Sequence, residues 1–150
     1  MEIFLNGKLV QVGKEFIDFE AETTAGNKIK VSQLKGRPFL LIFWDADSEA
    51  ARILNEFLSS YYFQIISHFE VVSLSLDENQ ETWKKASIED QITWINLNVK
   101  SEEASKVKAL YNVQAIPTLF WINSEGLIFK KEEGFSKNSI NEMISNKNFK

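Results

Sequence analysis

The chain has 150 residues, 44% of them hydrophobic and 25% charged, with a formal net charge of -4, which suits one soluble α/β-sized domain with a real core. The acidic balance, with a pI near 5.1, argues against a nucleic-acid or anionic-membrane surface, and no apolar run is long enough to span a bilayer. Cysteine is absent, which excludes disulfides, thiol nucleophiles and every cysteine-based metal site.

In chain order, "EIFLNGKLVQV" reads as a β-hairpin over residues 1–12, turning at Asn6-Gly7, where both positions accept positive φ. The opening has no basic segment ahead of an apolar run and does not read as a signal peptide. "FIDFEAETTAGNKIKVSQLKGR" predicts a second extended pair turning at Ala25-Gly26-Asn27. "PFLLIFW", residues 38–44, is apolar without alternation, as expected of a strand covered on both faces. From Ser48 to about Phe63 the residues Ala51, Leu54, Phe57, Leu58 and Tyr61 form a helical stripe.

"FEVVSLSLD" is a further strand, and a helix follows with Asn79 as N-cap and Trp83 on its apolar side. "ITWINLNV" is extended. A helix opens at Ser101 with acidic residues in its first turn. "TLFWIN" and "LIFKKEE" form a hairpin through Gly126, and a last helix starts near Ser136, beyond which the tail is expected to fray. The βαβ order implies parallel central strands with a right-handed crossover, and the closing hairpin adds antiparallel ones. The prediction is a single domain, an α/β sandwich with a mixed sheet between helices.

Four stretches resemble thioredoxin-fold proteins of the TlpA/ResA type, thiol-disulfide oxidoreductases of the bacterial envelope related to the AhpC/TSA group. "FIDFEAETTAGNKIKVSQLKGR" is similar to that family's entry segment, and "PFLLIFWDADSEAAR" lies where the family has its strand, F-W-A-x-W-C-x-x-C, and helix. "FEVVSLSLD" resembles its second strand, and "YNVQAIPTLFWINSEGLI" resembles Y-x-V-x-x-I-P-x-x-F-L-I-D-x-x-G-x-I. The resemblance implies a thioredoxin-like three-layer sandwich with the N-terminal hairpin as an extension. It places the two redox cysteines on Ser48 and Ala51, the tryptophan before them on Asp47, and the family's cis-proline on Pro117.

Those substitutions carry the functional expectation. Disulfide exchange needs an attacking thiolate and a resolving thiol, and neither exists here. Ser48 would need a general base, and the only histidine, His68, is expected at the far end of the first helix. The predicted function is that of a redox-inactive accessory or polypeptide-binding module without a cofactor. Its binding face comprises Asp45, Ala46, Asp47, Ser48, Glu49, Ile116 and Pro117, and its partner is an extended polypeptide or an envelope protein.

Other readings of the acidic turn stay open at this point. Asp45 and Asp47 after a strand also resemble a haloacid-dehalogenase-type phosphatase opening, with Asp77 and Glu78 at the next strand end. Asp45, Asp47 and Glu49 could grip a cation, although no glycine-centred loop surrounds them. The plainer role is structural: Asp47 or Ser48 caps the helix and Glu49 complements its dipole. A structural domain of an envelope assembly is a further reading. The four tryptophans are expected to pack the core or its rim.

Overall fold

The computed structural model describes residues 9–150. The hairpin expected around Asn6-Gly7 lies outside them; at its described end the Val10 N–H donates to the Leu110 carbonyl at 3.0 Å.

Seven strands form one sheet: β1 (Glu20–Thr23), β2 (Lys28–Lys30), β3 (Phe39–Trp44), β4 (Glu70–Ser75), β5 (Ile95–Asn98), β6 (Thr118–Ile122) and β7 (Ile128–Glu133). Their order across the sheet is β2-β1-β5-β4-β3-β6-β7. The three central strands β5, β4 and β3 run parallel, and β1, β2, β6 and β7 complete the sheet with antiparallel pairs. Among the described residues four α-helices cover it: α1 (Glu49–Ile66), α2 (Gln80–Glu89), α3 (Ser101–Leu110) and α4 (Lys137–Ser145).

The apolar run of β3 explains the layering. Successive side chains point to opposite faces of a strand. Leu40, Ile42 and Trp44 accordingly pack with Leu54 and Leu58 of α1, Trp83 of α2, and Ile140 and Met143 of α4. Phe39, Leu41 and Phe43 face the other way, toward Val107 of α3 and Tyr111. All six β3 residues are fully buried, as a strand between two helical layers requires. The predicted three-layer mixed sandwich is the observed fold.

Local signals place the helix ends. The Asn79 side chain accepts from the N–H groups of Glu81 and Thr82, and the Ser136 hydroxyl accepts from Ser139 N–H. α3 begins at Ser101 as expected, yet no side chain caps it. In the β6–β7 connection Gly126 sits at φ +86°, and an added Cβ would lie 3.1 Å from the Lys35 side chain. Both the positive φ and this close approach call for glycine there.

Two expectations change. The stripe predicted on α1 is split: Ala51, Leu54 and Leu58 are buried, Phe57 is half-buried, and Tyr61 is 49% exposed. The tail does not fray. Phe149 is fully buried, with its ring 5.8 Å from Phe69, 5.6 Å from Trp121 and 5.6 Å from Phe129. Behind it Lys150 donates to the Ile144 carbonyl at 2.6 Å and accepts from Ser124 Oγ at 2.9 Å. A single aromatic in a polar tail cannot declare its pocket, because three separate strands and loops build it.

Candidate functional site

The turn between β3 and α1 is built from its own polar groups. Asp45 Oδ1 accepts from the N–H groups of Asp47 and Ser48 at 3.1 and 3.0 Å, which folds the chain back after Trp44. Ser48 then takes the N-cap position with extended backbone, and its Oγ accepts from Ala51 N–H at 3.1 Å. Ser48, rather than Asp47, is the cap. Glu49 is exposed in the first turn, where the helix dipole favours an anion.

The same hydroxyl reaches across the molecule. Ser48 Oγ donates to the Ile116 carbonyl at 3.2 Å, joining two segments 68 residues apart. The predicted turn and the Ile116-Pro117 loop are therefore neighbours. The Ile116–Pro117 peptide bond is cis and Pro117 is buried. The three carbonyls of this loop have internal donors: Thr118 Oγ1 to Ala115, Ser48 Oγ to Ile116 and Gly134 N–H to Pro117. Among the described residues the N–H of Ile116 has no acceptor. Ala51 is fully buried beneath the turn.

Two supports hold this turn: Asp77, which the sequence offered only as a carboxylate of the rival phosphatase-type site, and Arg52, which it did not offer. Asp77, at the end of β4, accepts from Ala46 N–H with both oxygens, at 3.1 and 3.2 Å. Its Oδ2 also accepts from Ser75 Oγ at 2.7 Å. Burial pushes the Asp77 carboxyl up from its ordinary value; the Ser75 and Ala46 donors oppose this, and the charges of Asp45 and Asp47 reinforce it. The second support is Arg52. It donates to Asp90 at 2.6 Å, to Glu89 at 2.8 Å and to the Ala46 carbonyl at 3.2 Å, tying the turn to the end of α2. Asn55 Nδ2 completes the cluster by donating to Asp90 at 2.9 Å. The S-x-D pattern at Ser75–Asp77 was the available signal for the first support; the second depends wholly on tertiary placement.

The chemistry of the turn follows from these contacts. Ser48 Oγ has an N–H and a carbonyl as partners, and no base touches it. His68 follows the C-terminus of α1, an 18-residue helix about 27 Å long, and its Nδ1 lies 3.1 Å from Lys150 Nζ. Asp45 Oδ1 and both oxygens of Asp77 accept from backbone N–H groups, and Asp77 also accepts from Ser75 Oγ. Among the described residues no three carboxylate or histidine side chains gather as a metal site.

A thioredoxin-like family model matches residues 36–128, more than half of the chain. The chain belongs to the thioredoxin-like family. Thiol-disulfide oxidoreductase ResA of Bacillus subtilis is 26% identical over 141 residues, spanning 92% of this chain and 76% of that protein. The corresponding protein of Bacillus cereus is 25% identical over 134 residues, spanning 85% and 73%. Among solved structures, the thioredoxin domain of a thiol-disulfide oxidoreductase from Bacteroides vulgatus superposes with a TM-score of 0.81 at 23% identity. That superposition covers 91% of this chain and 99% of the other. A thiol:disulfide interchange protein from Bacteroides sp. gives 0.80 at 23% identity, covering 92% and 93%. This thioredoxin-like chain holds no cysteine at all.

Proposed function

We propose that this thioredoxin-like protein is inert in thiol-disulfide exchange and serves as an accessory module that binds an extended polypeptide. The face used is the turn Asp45, Ala46, Asp47, Ser48 and Glu49 together with Ile116 and Pro117. The observation that carries this reading is the position of Ser48: a hydroxyl stands at the helix start against the Ile116 carbonyl, where the resemblance expects the first cysteine. Without a thiolate there is no attack on a disulfide, and Ala51 supplies nothing to resolve one. What supports a binding role is the backbone N–H of Ile116, without an acceptor among the described residues, beside a helix N-terminus, a donor for an extended chain. The resemblance to envelope oxidoreductases supports a partner in the bacterial cell envelope.

Two measurements test the reading. Insulin reduction by dithiothreitol should proceed at the rate of the protein-free blank; acceleration would overturn the redox-inactive half. Titration with reduced, alkylated insulin B chain, followed by tryptophan fluorescence, should saturate and should weaken in Pro117→Ala. No saturation, or equal binding by the loop variant, would remove the polypeptide face.

A further inference from the structure

Strand β5 has a partner along its whole length on one flank only. β4 lies beside all of it, from Val72 against Ile95 to Ser75 against Asn98. On the other flank β1 pairs with Leu97 and Asn98 alone, through Thr23 and Glu22. β1 stops there because the chain turns back at once into β2: Gly26 N–H donates to the Thr23 carbonyl at 3.0 Å, and Thr23 N–H donates to the Asn27 carbonyl at 2.8 Å. Among the described residues no strand lines Ile95 and Asn96 on this flank. Just before them, the main-chain groups of Thr93 and Trp94 have no backbone partner among the described residues, although Trp94 is only 5% exposed. Main-chain donors and acceptors in so sheltered a place call for a partner. A groove of about 650 Å³ runs along this open edge, lined by Trp94 and Asn96, by Ile29 of β2, and by Lys84 and Ile88 of α2.

We propose that this groove takes an extended, largely apolar polypeptide segment bearing a carboxylate, added as a strand to the open edge of β5 in line with β1. The unpaired main-chain groups select the occupant's backbone. An extended chain offers a row of free N–H and C=O groups at strand spacing, whereas a helix has already used its own. The lining selects its side chains. Alternate residues of an added strand point to opposite faces, so one apolar set covers Trp94 and the Ile88 side chain, which is 79% exposed without it. Charge selects the carboxylate: Lys84 is the one charged residue of the lining, and it has no ion-pair partner among the described residues. Neither Ser48 nor the Ile116-Pro117 loop lines this groove, so the site is separate from the face proposed above and stands without it.

Amide nuclear magnetic resonance of the isotope-labelled chain tests the site with three probes. They are an acetylated, amidated hexapeptide alternating valine and glutamate, the same peptide with lysine in place of glutamate, and the first peptide methylated at every backbone nitrogen. The glutamate peptide should shift the amides of residues 93–96 to saturation and slow their hydrogen exchange. It should bind at least about threefold tighter than the lysine peptide, and the methylated form should not bind. Ile88→Glu, at an exposed position where thermal melts should be kept, should weaken binding about tenfold. Lys84→Glu should reverse the preference between the two charged peptides. No saturation at millimolar peptide overturns the proposal, as do equal binding of the methylated form and a preference that Lys84→Glu leaves unchanged. Shifts confined to Ile116 and the Ser48 turn would overturn it by placing the peptide on the other face. Amides of residues 93–96 that are already protected in the free chain would overturn it as well, by giving the edge to the chain itself or to a second copy.

Discussion

Replacing Ser48 by alanine removes one oxygen and two bonds. As N-cap, Ser48 Oγ accepts from Ala51 N–H at 3.1 Å, and a serine cap contributes about 1 kcal/mol. As cross-link, it donates to the Ile116 carbonyl at 3.2 Å, and a net hydrogen bond of that kind contributes about 1 kcal/mol more. The expected loss is about 2 kcal/mol in urea unfolding, or roughly 4–8 °C in melting temperature for a domain of this size. Asp47→Ala is the internal comparison. Asp47 is exposed and its side chain accepts no cap bond, so its loss should stay within about 0.5 kcal/mol. If Ser48→Ala costs under about 0.5 kcal/mol, or Asp47→Ala costs more than Ser48→Ala, the assignment of the cap and of the bridge to the proline loop is wrong.

The double change Ser48→Cys with Ala51→Cys should form a redox pair, since the Ser48 side chain already reaches back to Ala51, its Oγ 3.1 Å from the Ala51 nitrogen. Both thiols should disappear in oxidised glutathione and insulin reduction should appear; thiols that stay free would show the turn is misaligned with the family motif. Phe149→Ala should cost about 3 kcal/mol or more in urea unfolding, because the ring is fully buried among three aromatics, and a loss below about 1 kcal/mol would mean the tail is not part of the core. Asp77→Asn should change the pH dependence of stability. A carboxyl whose folded pKa is raised binds its proton more tightly in the native state, so the wild type loses stability as pH rises from the ordinary value of 3.8 through the raised folded value. Unfolding free energies from about pH 4 to 8 should show this decline in the wild type and not in the variant, and parallel profiles would refute the burial argument.

Local rules made much of the architecture legible. The non-alternating run at Phe39–Trp44 announced a strand covered on both faces, and Asn79 and Ser48 announced helix starts because an N-cap needs only its own next turn. The meeting of Ser48 with Ile116 was legible in another way, through resemblance, since nothing local relates positions 68 residues apart. What stayed hidden was purely tertiary. Asp77 read in the sequence as a candidate carboxylate of a phosphatase-type site, and its bonds to Ala46 N–H give it a supporting role instead. Arg52 and Asp90 sit on different helices and pair only once α1 and α2 are packed on the same face. The division of the α1 stripe had the same origin: periodicity told which residues share a face, while α4 decided how much of that face closes over.

Where the resemblance expects a thiol, position 48 carries a hydroxyl, and the geometry of the turn can be considered apart from its reactivity. A serine hydroxyl satisfies the helix end and the proline loop together, so the scaffold loses nothing by it. Reactivity is another matter. A helix N-terminus stabilises an anion by about 2 kcal/mol at most, which is roughly one and a half pKa units. That suffices to draw a thiol, near about 8.5, to within reach of neutrality. An alcohol, like water, ionises far above a thiol, and the same field leaves it several units short. A general base would have to cover the remainder, and the hydroxyl's proton already points at a backbone carbonyl that cannot take it. The same bond takes one of the two lone pairs of the Ile116 carbonyl. In the proposed polypeptide reading, the N–H of Ile116, which has no acceptor among the described residues, is the donor left for an extended partner.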